Sequence, residues 1–486
     1  MTYVVAIDAG TTGIRSRAIF PGSARNVSAY TEFTQHFPQP GWVEHDANEI
    51  WAAVVSTLSR VITEVGSNPA AIGITNQRET VVAWNRSDGR PLAPAIVWQD
   101  RRTSSRCEDL APHLTLVRHT TGLVLDPYFT GTKIEWLMNN GVPASPDVAF
   151  GTIDSWLLWN LTGGEVFATD ESNASRTMLY DIRNHCWSEE LCSLLGVPIR
   201  SLPDVRDSSG RFGTTNCTGL PAGIPVSGIA GDQQAALFGQ ACFADGDAKN
   251  TYGTGSFVLM NVGTHCPEPT AGMLTTVAWR LKGVTTYATE GAIFVTGAAV
   301  QWLRDGLGII DHSADVESLA ATVDDSGGVV FVPALTGLGS PWWDSEARGA
   351  IFGITRGTTK AHLALATLES MAFQSCDVID AMSAATGISL RTLRVDGGAS
   401  GNDRLMQMQA DQLGIPVERP VDRETTALGA GFLAGLAEGV WPDLDAVAAS
   451  RVVDRVFEPN AELKPFANAA HQQWLDAVSR VTTTRR

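Results

Sequence analysis

Cysteine is sparse in this 486-residue chain, basic residues are outnumbered by acidic ones, and long apolar runs are missing. The seven cysteines (Cys107, Cys186, Cys192, Cys217, Cys242, Cys266 and Cys376) are scattered and include no CxxC pair. That excludes a disulfide scaffold or a zinc ribbon and leaves reduced thiols. The histidines likewise show no metal-ligand spacing. No uncharged apolar stretch reaches the ~20 residues a membrane helix requires. No basic segment opens the chain and Asp8 interrupts the first apolar run, so a signal peptide is not expected. With 35 Lys and Arg against 52 Asp and Glu, the formal charge of −17 argues against nucleic acid or an anionic membrane as partner. A cytoplasmic protein without membrane insertion is the expectation.

What is present describes a folded chain with an ample core, 44% hydrophobic and 18% charged, long enough for two or three domains. Tyr3–Ile7, Ala71–Thr75 and Leu393–Val395 are apolar runs expected as buried strands, with Pro416–Glu418 a shorter one and Gly328–Pro333 strand-like. Helical periodicity predicts a helix opening at Asp46, where Asp46 and Glu49 have capping-box spacing and Ile50, Val54, Leu58, Val61 and Val65 repeat. Further helices are expected over Ile153–Leu161, Ala361–Met382, Asn402–Leu413 and Thr425–Ala437. This alternation predicts mixed, mostly parallel sheets with helices on their faces. The Pro- and Gly-rich stretch Thr214–Gly228 reads as a surface loop. Two related lobes are expected to meet near residues 240–250, giving domains 1–241 and 242–486.

Three turns carry the chemical information. Asp8-Ala9-Gly10-Thr11-Thr12-Gly13, Tyr252-Gly253-Thr254-Gly255-Ser256 and Asp396-Gly397-Gly398-Ala399-Ser400 each combine glycine with a hydroxyl or carboxylate after an apolar strand. Such a turn presents bare N–H groups to an anion, with no Cβ to hold a phosphate away. Any one alone is equally a tight hairpin. Three suggest one nucleotide held between two lobes. None is a Walker loop or a dinucleotide fingerprint, because no Gly-Lys-Ser/Thr and no GxGxxG-helix follows.

Other residues offer a reaction partner. Asp232 precedes an Ala/Leu helix; it is either a plain N-cap or a carboxylate positioned to accept a hydroxyl proton. In Asn76-Gln77-Arg78-Glu79-Thr80 a donor fork stands beside an acceptor, suited to vicinal hydroxyls or to an exposed salt bridge. Trp98, Tyr128 and Phe257 are each core or ligand contacts.

These strings resemble the FGGY carbohydrate kinases, and within them the members that act on glycerol. The resemblance runs from Asp8 to about Gly439. It rests on Pro40–Asp46, Gly73–Thr80, Trp98–Thr103, Asp126–Phe129, Asn173–Met178, Gly228–Gly239, Asn250–Gly255 and Arg394–Ala399, with signature regions at Tyr128–Asn140 and Gly349–Glu369. It implies two actin-like (ribonuclease-H-like) α/β domains with a nucleotide and substrate cleft between them. It implies ATP-dependent phosphorylation of glycerol to sn-glycerol 3-phosphate, and self-association as a homodimer or homotetramer. Asp232 would be the general base. Arg78, Glu79, Trp98, Tyr128, Asp232, Gln233 and Phe257 would hold glycerol. Thr11, Thr12, Arg15, Thr254, Gly297, Gln301, Gly398 and Asn402 would hold ATP, and Asp8 with Asp232 would hold Mg²⁺.

The chain departs from the family's usual pattern at Ala9 and at Gly13-Ile14, and the hydroxyl lost at residue 13 is expected to weaken the grip on the terminal phosphate. The loop Thr214–Gly223 has no Lys, Arg or His, so neither a basic effector loop nor a phosphohistidine acceptor is expected there. Another short polyol or a pentose as acceptor, or an ATPase that drives conformational change, are the competing readings.

Overall fold

Short buried runs rich in Val, Ile and Ala assemble into one sheet of thirteen strands among the described residues. The computed structural model describes every residue except 1, 24, 271 and 484–486. The strands are β1 (Val4–Ala9), β2 (Gly13–Ile19), β3 (Val27–Glu32), β4 (Ala71–Asn76), β5 (Ser209–Thr214), β6 (Pro225–Gly231) and β7 (Ala248–Tyr252). They continue as β8 (Ser256–Gly263), β9 (Leu274–Leu281), β10 (Val284–Ile293), β11 (Leu393–Asp396), β12 (Val417–Pro420) and β13 (Val453–Phe457). Their order is β13-β12-β11-β7-β8-β10-β9-β5-β6-β4-β1-β2-β3.

One pattern occurs twice. β1 pairs antiparallel with β2, and β2 with β3, while β1 runs parallel to β4 and β4 to β6. β7 repeats this with β8, β10, β11 and β12 in the same places. The halves join edge to edge through a single pairing, Ser209 with Leu281. The expectation of mostly parallel sheets is therefore corrected: β1, β2 and β3 form an antiparallel meander and β7, β8, β10 and β9 pair antiparallel in that order, because short turns can only join antiparallel neighbours. Two of those turns are the glycine turns singled out above.

Three further expectations shift locally. Asp46 does cap helix α1 (Ala47–Val65), but it accepts from Asn48 N, and Glu49 Oε2 instead accepts from Thr34 N at 3.0 Å, so no capping box forms. Residues 225–228 are not loop; they open the largely buried strand β6. The expected strand Pro416–Glu418 is centred later, as β12.

Helix α2 (Asp232–Gly239) and helix α3 (Thr425–Ala437) pack face to face, with α3 over β1, β4 and β6. Small residues permit the approach: a Cβ at Gly239 would lie 2.9 Å from Gly429 N, and one at Gly429 would run into the Ala235 carbonyl. Gly429→Ala is expected to destabilise the fold by about 1–3 kcal/mol through overpacking, read as a lowered thermal midpoint with unaltered secondary structure. A smaller antiparallel sheet of Glu44–His45, Ala95–Ile96, Val81–Asn85 and Val148–Thr152 sits beside the main one. It anchors the segments that carry Arg78 and Trp98. No described helix is long and apolar enough to cross a membrane.

Candidate active site

The loop after β4 is the hub, and it is buried rather than exposed: Asn76, Gln77, Arg78, Glu79 and Thr80 are at most 2% accessible. That excludes a surface salt bridge. Gln77 N donates to Ala9 O at 2.8 Å and Gln77 Nε2 to Gly10 O at 3.1 Å, so this loop fixes the first glycine turn. Thr80 Oγ1 donates to Gln77 Oε1 and accepts from Trp98 N, which ties Trp98 to the same frame. Glu79 adopts a φ of 62°, a left-handed conformation costly for a non-glycine residue. Lys133 Nζ holds the strained peptide by donating to Glu79 O at 3.3 Å and to Tyr128 O at 2.8 Å.

Arg78 spends its whole guanidinium on this site. Its Nη1 and Nη2 donate to both oxygens of Glu290 at 2.5 and 3.0 Å, Nη1 also reaches Gln234 Oε1, and Nη2 reaches Tyr128 Oη at 3.3 Å. Nε lies 3.2 Å from Asp232 Oδ1. Glu290 sits on β10, so the fork from the first half is clamped by the second. A second buried guanidinium completes the network: Arg176 Nε donates to Glu79 Oε1 at 2.6 Å and Nη2 to Glu290 Oε1 at 3.0 Å.

Asp232 is the first residue of α2, with Gly231 as the cap. Its carboxylate accepts from Gln233 N at 2.7 Å, yet its side chain keeps 30% exposure while Arg78 and Glu290 are sealed. Burial raises its carboxyl above the ordinary range, and Arg78, the Gln233 N–H and Lys249 pull it back. Burial, then the charges of Asp232 and Glu424, lift Asp8 to about 7 against Arg15. Lys249 is fully buried, donates to Gln233 Oε1, to Thr251 Oγ1 at 2.9 Å and to Phe257 O at 3.1 Å, and is pushed down to about 8 by burial.

The structure brings together all seven residues expected to hold the acceptor. Trp98 and Tyr128 pack edge to face at 5.5 Å, Phe257 lies 5.9 Å under Arg78, and Gln233 is held by Lys249. Trp98 Nε1 donates to Thr11 Oγ1 at 3.0 Å, so the first turn abuts this group. Thr12 is exposed in the turn and Arg15 pairs with Glu424. In the second turn Gly253 and Thr254 carbonyls accept from Gly297 N and Ala298 N at 3.1 and 2.9 Å, docking the helix Gly297–Gln301 onto it. The third turn is its neighbour: Thr251 pairs with Asp396, and a Cβ at Gly397 would meet the Tyr252 backbone. Gly398 faces open space and Asn402 caps the helix Asp403–Leu413 through Leu405 N. Gln301 is exposed at the end of its helix, and no described hydrogen bond joins it to Gly398 or Asn402.

Glu290, Arg176 and Lys249 were not predicted. Their only signal is a charged residue inside an otherwise apolar or small-residue strand or turn. One cluster lies apart from this chemistry: Cys376, Asp380 and His471 bring ligand atoms within 4.8 Å of one another. His471 Nε2 already bonds Asp377 at 2.7 Å and Cys376 Sγ lies 3.5 Å from Asp380, so the group serves to tie the helix Lys360–Thr386 to Lys464–Val481.

Residues 3–239 match the FGGY family of carbohydrate kinases, N-terminal domain, and residues 248–438 match its C-terminal domain. The chain belongs to the FGGY family. Among curated members of this FGGY family, a protein named glycerol kinase from Dechloromonas aromatica is 54% identical over 491 residues, covering 98% of this chain and 97% of that protein. Glycerol kinase 2 from Thermotoga maritima is 52% identical over 99% of both. The crystal structure of Plasmodium falciparum glycerol kinase with ADP superposes with a TM-score of 0.94 at 33% identity, covering 100% of this chain and 99% of that one. The architecture is thus the two-domain α/β fold of actin-like, ribonuclease-H-like FGGY kinases.

Proposed function

We propose that the chain phosphorylates glycerol with ATP to give sn-glycerol 3-phosphate. The observation that carries this is the Asp232 carboxylate, held 3.2 Å from a sealed guanidinium yet itself open, beside a polar and aromatic group that abuts a glycine turn. Whole-length relatives named glycerol kinase support the choice of acceptor.

The chemistry follows from the placement. Arg78 and Glu79 are immobilised by Glu290 and Arg176; because every N–H of the Arg78 fork is already engaged, a triol would meet it by replacing its Tyr128 or Asp232 contact, while Trp98, Tyr128 and Phe257 wall the carbon chain. An alcohol lacking one hydroxyl would leave buried polar groups unpaired and be rejected. Asp232 accepts the proton of the attacking primary hydroxyl. One such base contributes ~10²–10⁴-fold, so alignment and charge stabilisation carry the remainder. Gly10 N and Gly253 N close their own turns by donating to Gly13 O and Gly255 O, so the N–H groups of Thr11, Thr12, Thr254 and Gly255 are the ones that hold phosphate oxygens, and Gly297, Gln301, Gly398 and Asn402 form the nucleoside side.

Mg²⁺ fits the residues present. Asp8 and Asp232 are hard oxygen donors, and the charge of Asp232 helps raise the proton affinity of Asp8, the situation a dication relieves; few protein ligands suit an ion that keeps water and phosphate. Bound there, it would neutralise charge on the terminal phosphates. We further place the domain division at 241/242, in the segment joining α2 to β7, and propose a cytoplasmic homodimer or homotetramer. The test is ADP release with and without glycerol. Release that depends on glycerol, exceeds that on erythritol or xylulose, and stops when a chelator removes divalent cations is the expected outcome; ADP release indifferent to glycerol would overturn it.

A further inference from the structure

Gly13 has no side chain, but the space for one is filled. A Cβ built there would stand 2.5 Å from the Tyr30 hydroxyl oxygen and 2.7 Å from the Thr31 carbonyl. Gly10, in the same turn, would place its Cβ no nearer than 3.4 Å to anything. The phenol of Tyr30 therefore occupies the point from which a side chain at residue 13 would start.

Strand register explains how it arrives there. Tyr30 on β3 lies opposite Arg15 on β2, and Arg15 lies opposite Asp8 on β1. Cross-strand partners share a face, so Tyr30, Arg15 and Asp8 form a row ending at the first turn. Arg15 sits 5.7 Å from the centroid of the Tyr30 ring and pairs on its other side with Glu424. Tyr30 is 43% exposed, on the solvent side of a strand whose alternate residues Val27 and Ala29 are buried. Its hydroxyl therefore lies at the edge of the first glycine turn, on a side chain that solvent reaches.

We propose that Tyr30 is a nucleotide-binding residue whose hydroxyl donates to a terminal phosphate oxygen of ATP, supplying from β3 the donor that Gly13 lacks. The absence of a Cβ at residue 13 is what admits it. A phenolic O–H to a phosphate oxygen is a charge-assisted hydrogen bond, stronger than a neutral one and specific for the phosphates over the nucleoside. This inference rests on the ATP-dependent reading above.

Tyr30→Phe tests it, since the ring and its contacts persist while the donor is removed. Loss of one hydrogen bond to a charged group predicts a roughly tenfold rise in KM for ATP, with KM for glycerol and affinity for AMP changed less than about twofold. Thermal stability should match the wild type. An unchanged KM for ATP would overturn the proposal. So would equal weakening of ATP and AMP, or a lowered thermal midpoint, because each assigns Tyr30 a packing role. Failure of the functional reading itself shows separately, as wild-type protein whose ADP release ignores glycerol.

Discussion

Asp232→Asn is expected to lower kcat by ~10²–10⁴-fold, the usual worth of a positioned general base, with KM for glycerol little changed. The amide keeps the shape of the carboxylate and an oxygen to accept from Gln233 N, which now donates at 2.7 Å. Arg78 stays in place because its principal holds are on Glu290. What disappears is the capacity to take a proton. Calorimetric glycerol binding together with steady-state ADP release separates the two effects, and a kcat within about tenfold of wild type would remove Asp232 from the base role. The pH profile supplies a second readout. Burial lifts the metal-free Asp232 above the ordinary Asp range while a bound dication opposes that lift, and the base works ionised, so activity should fall on the acid side as Asp232 takes a proton. That limb should vanish in the variant.

How much of this was legible in the chain depended on the range of the interaction. Helices at Ile153–Leu161 and Thr425–Ala437 fall where periodicity and composition put them, since both follow local pattern. The twin turns at Gly10 and Gly253 were legible as turns because glycine and threonine advertise backbone shape. Glu49 misled because its spacing from Asp46 suits a capping box, while Thr34, fifteen residues back, offers the nearer unpaired N–H. The preponderance of antiparallel pairs was missed since strand direction depends on which runs become neighbours, not on the runs themselves.

The site was legible in its ligand-facing members and illegible in its supports. Arg78, Asp232 and Trp98 stand in short strings whose polarity contrasts with the strands before them. Glu290 meets Arg78 across 212 residues and Arg176 across 114. Nothing local in Thr289-Glu290-Gly291 says that its carboxylate is the counter-ion of two guanidinium groups. Tyr30 belongs to the same class. Its role follows from the register of β2 on β3, which no residue spacing along the chain discloses.

Glu290→Gln tests whether those supports govern stability as well as position. Glu290 is wholly buried and accepts from Arg78 Nη1 at 2.5 Å, and from Arg78 Nη2 and Arg176 Nη2 at 3.0 Å each. Arg176 Nη1 already lacks a partner. Neutralising Glu290 leaves two buried cations sharing the carboxylates of Glu79 and Asp232, and turns an amide N–H toward guanidinium donors. Breaking a buried ion pair from one side costs about 3–5 kcal/mol, so the midpoint of urea unfolding should fall markedly and activity with it, as Arg78 loosens beside Asp232. The pH dependence fixes the sign. Burial alone would raise the Glu290 carboxyl, but Arg176 and Arg78 outweigh it and hold it at about 2. A carboxyl depressed in the folded state adds stability that is complete above its unfolded pKa of about 4.3 and drains as pH falls toward the folded value. The difference in stability between wild type and Glu290→Gln should therefore be steady at neutral pH and shrink between about pH 4.3 and 2. A variant as stable as wild type at pH 7 would show that the clamp between the two halves lies elsewhere.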